Sequence, residues 1–424
     1  CQLILEIKMS DAGLYVAGID VGTTKICTII GRHNSGRPLE LLGVGLSPCA
    51  GLKSGIIVDR ESAESSIREA AKKAQEMAGV TIHGAYVGIT GDHVRSANVV
   101  GRVHTGPDSE VTEDDIEQAK QSAIDSVPLP VEREIIHSIV RDFSVDGTSG
   151  VSRPLGMSGR RLDVLLHVVT GMSTVIANAR RCVESAGVEV QAQILEPIAT
   201  ARAVLTDAER DIGVLIVDIG GGTTDIAVFI DNAICHTAAV PLAGDRVTRD
   251  IAEVLRVSRA DAEALKCRFG AALPSLVPEG DLVHVSKADG LDFDRVPRRL
   301  IAEIIQARLT EVFSMVKQEV MRAPVPKIGG IVLSGGGSQA PGISRLAGDV
   351  FDGIAVRTSE PRNVTGSAHL VSSPIYATGV GLAMIAAEEG LSAVATERAV
   401  GGTAASVRSW IGDTWDRLLS LKPW

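Results

Sequence analysis

GVLIVDIGGGTTDIAVFID, residues 213–231, sets an apolar run, an acid, a glycine turn, paired threonines and a second apolar run in one stretch. That pattern reads as two strands joined by a tight hairpin, with Asp218 closing the first strand. Working outward, the pattern recurs about 200 residues earlier in YVAGIDVGTTKICTIIG at 15–31. There Asp20 precedes Gly22, Thr23, Thr24 and Lys25, as Asp218 precedes Gly220, Gly221, Gly222, Thr223 and Thr224. A solenoid would repeat every 20–50 residues, so two distant copies point to two related lobes facing one cleft. A phosphate chain needs backbone N–H donors at close range, which calls for Gly or small residues in tight turns, and its metal needs carboxylates nearby. A Gly-rich hairpin alone is usually only a hairpin; two matched copies point to a phosphate clamp.

The chain has 424 residues, enough for two to three domains with large apolar cores. Lys and Arg number 42 against 52 Asp and Glu, a net charge of -10 that argues against general nucleic-acid binding. The six cysteines are scattered without metal-ligand spacing, which fits a reducing compartment. The longest apolar stretches, such as 376–387, fall short of the ~18–20 residues that span a bilayer. The start lacks the basic and long apolar regions of a signal peptide. Met9 is the expected translation start, and 1–13 read as a disordered extension.

Between the two hairpins the pattern predicts a third strand at 38–47, a helix at 60–78 ending at Gly79, and a strand at 84–90. Residues 94–167 read as an inserted α/β module, with a helix opened by Thr112 and strands near 134–145. A helix at 173–186 and a strand, turn and helix at 188–205 complete the first lobe, 14–93 and 168–205. Beyond 231, helices are expected at 244–257, 259–269 and 297–321, with an irregular segment at 274–295. Strand, turn and helix start follow at 327–343, around Gly335, Gly336 and Gly337, and a Gly- and Ala-rich helix at 377–387. The second lobe divides into a lower part, 206–245 and 321–387, and an upper part, 246–320.

Residues 388–405 read as a flexible linker. After it, Val407, Trp410, Ile411, Thr414, Trp415, Leu418 and Leu419 recur at helical spacing, giving 406–424 one apolar face. Tryptophans favour a membrane interface, and Arg408, Arg417 and Lys422 offer contacts to anionic headgroups. Asp413 and Asp416 offset most of that charge, and docking of the helix on its own globular body is the alternative.

These motifs, GIDVGTTK at 18–25, VDIGGGTTD at 217–225, LSGGGSQAPG at 333–342, EPIATARAVL at 196–205 and TGVGLAMIAA at 378–387, resemble the actin, sugar-kinase and heat-shock-chaperone ATPase superfamily. Within it the chain resembles the FtsA family of actin-like bacterial cell-division proteins from about residue 14 to 424. GMSGRRLDVLLHVVTG at 156–171, the stretch 194–229, the insert and the terminal helix carry that narrower likeness. The resemblance implies a bilobal α/β actin-like ATPase fold and ATP with Mg²⁺ as ligand. Thr23, Thr24 and Lys25 would meet the phosphates from one lobe and Gly221, Gly222, Thr223 and Thr224 from the other. Asp20 and Asp218 would hold a hydrated Mg²⁺, Glu263 and Lys266 would meet ribose and adenine, and Gly335, Gly336 and Gly337 would line the adenosine.

Hydrolysis, slow at most by the resemblance, needs a group to position water; Glu196 is the best candidate, with a structural role as its alternative. The resemblance also implies filaments of the chain itself on the inner face of the cytoplasmic membrane at the septum. FtsZ filaments would be tethered there, and later division proteins recruited through the insert. Arg299 and Glu303 match positions through which the family binds the FtsZ C-terminal tail; an ordinary i,i+4 surface pair explains them equally well. Two rivals share the fold. A small-molecule kinase would need an acidic base in a substrate pocket and has no use for the Trp-bearing tail. A PilM-like pilus-assembly adaptor lacks the terminal amphipathic helix.

Overall fold

The computed structural model describes residues 13–106, 110–286, 293–323, 325 and 327–390. The expected terminal helix at 406–424 and most of the linker lie outside them. Strands β1 (Leu14–Val21), β2 (Lys25–His33) and β3 (Leu39–Pro48) form an antiparallel meander. A short ribbon, β4 (Leu52–Lys53) and β5 (Ile56–Ile57), leads to helix α1 (Arg60–Ala78). The Asp59 side chain accepts from Ser62 N, and Gly79 ends the helix at φ 68°, the left-handed conformation that favours glycine. Ala63, Ile67, Ala70, Ala71 and Ala74 are its buried stripe. Strand β6 (Gly84–Ile89) then runs parallel to β1.

The insert follows as β7 (Arg95–His104), α2 (Glu113–Asp125), β8 (Arg133–Val145), β9 (Thr148–Val151) and β10 (Arg161–Met172), in sheet order β7-β10-β8-β9. Thr112 and Asp115 cap α2 reciprocally, which is why the helix starts there. The insert is longer than the reading that ended it at 167. All of β10 belongs to its sheet, with Thr170 opposite Arg95 and Met172 opposite Arg133. Helix α3 (Ser173–Ser185) and β11 (Glu189–Leu195) return to the first sheet, where β11 pairs with β6, and α4 (Glu196–Val204) and α5 (Asp207–Ile212) follow.

In the second lobe, β12 (Val214–Ile219), β13 (Thr224–Ile230) and β14 (Ala233–Val240) form another antiparallel meander. Helices α6 (Gly244–Leu255) and α7 (Arg259–Phe269) come next. The segment expected to be irregular contains a hairpin of β15 (Leu282–Ser286) and β16 (Phe293–Pro297). Helix α8 (Arg298–Arg322) buries Ile301, Ile305, Leu309, Val312, Phe313 and Val316. The chain ends its described part with β17 (Gly330–Ser334), α9 (Ile343–Val350), β18 (Val356–Thr358), β19 (Val364–Gly366) and α10 (Ala377–Glu389).

The two main sheets share one topology. β3-β2-β1-β6-β11 and β14-β13-β12-β17-β18 each join an antiparallel meander to two parallel strands on the far side of the first strand. The sequence repeat is thus a repeat of architecture. One assignment changes: 364–387 does not stay with the second lobe. β19 adds to the first sheet beside β3, and α10 packs on β1, β2 and β6. Helix α4 faces α10 and reaches β12 and β13, so the two helices cross between the sheets. Their backbones nearly touch, because a Cβ on Gly381 would lie 1.7 Å from Ala199 O.

Candidate functional site

Each long hairpin ends in a turn closed by its own backbone: Gly22 N donates to Lys25 O at 3.1 Å, and Gly220 N to Thr223 O at 3.0 Å. The crossing of α4 and α10 sets the two turns against each other. A Cβ on Gly221 would lie 2.3 Å from Thr24 Cγ2, and one on Gly222 would lie 2.5 Å from Thr23 Oγ1. Only glycine permits that approach. Thr23 Oγ1 also accepts from Gly55 N at 3.1 Å, fixing the first turn to the β4–β5 ribbon. The third turn joins them from β17. Gly335, at φ 77°, passes so close to β12 that a Cβ would lie 2.3 Å from Asp218 Oδ1, and one on Gly337 would meet Ile219 Cγ2 at 2.4 Å.

The carboxylates converge behind these turns. Asp20, Glu196, Asp218 and Asp225 are all buried. Lys25 Nζ donates to Asp20 Oδ2 at 2.9 Å. Burial disfavours its charge, but Asp20, Cys27 and Asp218 more than offset that and hold the ammonium above its usual range. Asp218 accepts from Thr200 at 2.7 Å and Thr378 at 3.3 Å, and burial raises its pKa against those bonds. Asp225 accepts from Thr90 at 2.5 Å and Thr223 at 2.9 Å, and burial pushes it up to about 7. Glu196 lies under Gly88 with Oε1 unpartnered; burial, then Asp20, Asp225 and Asp218, drive its pKa well above the carboxylate range.

Such a site has room in its electrostatics for a hard cation. Several buried carboxylates face one ammonium, and two of them, Asp20 and Asp218, close the strands that carry the turns. Among the described residues, no group of three or more His, Cys, Asp or Glu side chains could hold a metal directly. A pair of oxygen ligands suits Mg²⁺, which keeps most of its waters.

Glu263 and Lys266 stand above the second turn. Lys266 Nζ donates to Gly244 O at 3.2 Å, Thr248 Oγ1 at 2.9 Å and Glu263 Oε2 at 2.7 Å, while Gly244 N donates to Gly220 O at 3.1 Å. The start of α6 therefore links this pair to the glycine turn. A surface cavity of about 450 Å³ adjoins the third turn, with Ser338, Gln339, Thr358 and Ser373 in its lining. Arg299 and Glu303 stand on α8 as an exposed ion pair at 3.3 Å.

Sequence reasoning did not single out Thr90, Thr200, Asp225 and Thr378. Thr200 and Thr378 come from α4 and α10 and meet each other at 2.9 Å over Asp218. A hydroxyl in an otherwise apolar helix stretch was their signal. Asp225 is the second residue of β13, inside the quoted motif, and its burial was the missing information.

Two family models match the chain: cell division protein FtsA over residues 215–381, and the SHS2 domain inserted in FtsA over 91–170. The second covers nearly all of the β7–β10 insert. Cell division protein FtsA of Pseudomonas aeruginosa is 42% identical over 88% of this chain and 89% of its own length. That of Escherichia coli K12 is 34% identical over 96% and 97% respectively. Among solved structures, a PilM-PilN type IV pilus biogenesis complex superposes with TM-score 0.63 at 18% identity, covering 88% of this chain and 98% of that one. MreB5 of Spiroplasma citri bound to ADP gives 0.52 at 15% identity, covering 87% and 94%. At those identities both show a shared actin-like fold alone.

Proposed function

The chain belongs to the FtsA family of cell division proteins, and from that premise we propose that it binds ATP with Mg²⁺ between its two glycine turns and uses it to polymerise on the cytoplasmic membrane. A role in division at the division site follows from the family; the ligand, partners and anchor are the proposal. The observation that carries it is the meeting of two glycine turns over buried carboxylates. Thr23, Thr24 and Lys25 would bind the phosphates from the first lobe, and Gly221, Gly222, Thr223 and Thr224 from the second. Asp20 and Asp218 would orient the waters of a Mg²⁺ that neutralises the polyphosphate. Gly335, Gly336 and Gly337 would receive the adenosine from one side, and Glu263 with Lys266 from the other. Glu196 would position water for slow hydrolysis.

Residues 406–424 would lie on the membrane surface through Val407, Trp410, Ile411, Trp415, Leu418 and Leu419, placing filaments at the septum. Arg299 and Glu303 would receive the FtsZ C-terminal tail, and the insert would contact later division proteins and neighbouring subunits. The test is sedimentation with anionic liposomes, with and without MgATP, of the full chain and of a chain ending at Ala405. Pelleting that requires 406–424 and is lost in Trp410→Glu is the expected result. Equal behaviour of both forms in solution would overturn the anchor. Arg299→Glu should weaken binding of an FtsZ tail peptide at least about tenfold if the pair is a binding site, and leave it unchanged if it is a plain surface ion pair.

A further inference from the structure

The insert belongs covalently to the first lobe, since the chain enters it from β6 and leaves it through α3 to β11, the neighbour of β6. Yet its sheet sits against β14, the edge strand of the second lobe's sheet. An open edge presents unpaired backbone groups, and here side chains of β7 bond three of them. Ser96 Oγ donates to Thr237 O at 2.8 Å and accepts from Thr237 N at 3.4 Å, while Asn98 Nδ2 donates to Cys235 O at 3.0 Å. Cys235 is the bulged residue of β14, where the register with β13 shifts.

His167 of β10 closes the seam. It is fully buried, with Nδ1 2.9 Å from Asn98 Oδ1 and Nε2 3.0 Å from Thr237 Oγ1. Burial, together with His236, Arg141 and His137, pushes its pKa down to about 3, so the ring is neutral. Asn98 turns its amide nitrogen to Cys235 and its oxygen to the ring, which assigns the ring proton to Nδ1. Nε2 then accepts from Thr237 Oγ1. The result is a directed ring of bonds from β14 through β10 to β7 and back to β14.

We propose that this Ser96–Asn98–His167–Thr237 seam is a latch that couples the orientation of the insert to the state of the nucleotide cleft. β14 pairs with β13 along its length, Val240 lies opposite Thr224, and Thr224 Oγ1 donates to Leu242 O at 2.7 Å. The second glycine turn and the latched edge are thus two parts of one sheet. Because the turns of the two lobes already touch, a triphosphate entering between them must change the angle between the lobes. The insert is held by both lobes, so that change must either carry it along or strain the seam. Contacts made by the insert elsewhere would, by reciprocity, alter the affinity of the cleft.

The inference rests on the ATP reading, and hydrogen exchange on the full chain separates the two. MgATP should slow exchange at the turns, residues 20–25 and 218–224, and also change it at 95–104 and 233–240, each by about tenfold. In an Asn98→Ala, Thr237→Val double variant the turns should still respond while 95–104 should not. Ser96→Ala, which removes the bonds to the Thr237 backbone alone, should give a smaller loss in the same direction. Protection at the turns with none at 95–104 and 233–240 in the parent chain overturns the latch and leaves ATP binding standing. An undiminished response at 95–104 in Ser96→Ala and in the double variant also overturns it. No response anywhere overturns the ATP reading and the latch with it.

Discussion

Asp218 is a carboxylate kept buried by the fold although burial works against its charge. Thr200 and Thr378 satisfy one of its oxygens, and Gly335 leaves the other the space that a Cβ would fill. Such a cost does nothing for stability, and the proposed role of Asp218 in ligand binding would explain it. Asp218→Asn should therefore leave the melting temperature unchanged or raise it, while weakening Mg²⁺-dependent ATP binding at least about tenfold. Calorimetry and titration with a fluorescent ATP analogue measure the two effects separately. His167 and His137 make the opposite case, neutral groups in the core with pKa values pushed from 6.5 down to about 3 and about 4, chiefly by burial. The unfolded chain binds these protons first, so their contribution is complete above pH 6.5 and declines as pH falls toward the folded values. Each adds a slope of about 1.4 kcal/mol per pH unit in that window. Urea unfolding at pH 7, 6 and 5 should show a shallower acid loss in His167→Gln by about one proton's worth of slope.

At the scale of elements, α1 and α2 begin and end where their caps dictate. Thr112→Ala removes the hydroxyl that accepts from Asp115 N at 3.2 Å, and should cost about 1 kcal/mol in chemical unfolding of the chain. The α4–α10 crossing is less forgiving. A side chain at Gly381 would meet Ala199 O on the neighbouring backbone, so Gly381→Val should destabilise by about 3 kcal/mol or more and widen the angle between the sheets. Thermal unfolding reads the first effect and small-angle scattering the second. Elements of this kind were legible because their signals are local: the hairpins, the capping residues and the helix from Arg60 to Ala78 all carry their own pattern. The β15–β16 hairpin was not, since its strands are only five residues long and Leu282, apolar but exposed, blurs the alternation of Val283 and Val285. The allegiance of β19 and α10 to the first sheet was hidden for a different reason. Which sheet a helix covers is decided by the return path of the chain, and α10 is apolar around its whole circumference, so no face of it names a partner.

For the molecule as a whole, the three glycine turns were readable one by one, but their charge environment exists only after folding. Asp20 and Asp218 are 198 positions apart and Asp225 and Glu196 come from different lobes, yet the crossing of α4 and α10 gathers all four behind the turns. Lys25, the cation facing them, is already paired to Asp20. Burial holds Glu196 and Asp225 toward their neutral forms, so a polyphosphate approaching this cleft alone would meet the charge of Asp20 and Asp218 at short range in a poorly solvated setting, where repulsion is weakly screened. In the proposed reading a divalent cation entering with it would reverse the balance, with Asp20 and Asp218 as the residues that would hold its waters. ATP binding measured in EDTA should consequently be at least about tenfold weaker than in Mg²⁺. The dependence on metal should shrink in Asp218→Asn, whose site repels the bare nucleotide less. Equal affinity with and without metal in the parent chain would mean that the phosphates bind away from the carboxylates, on the outer side of the turns.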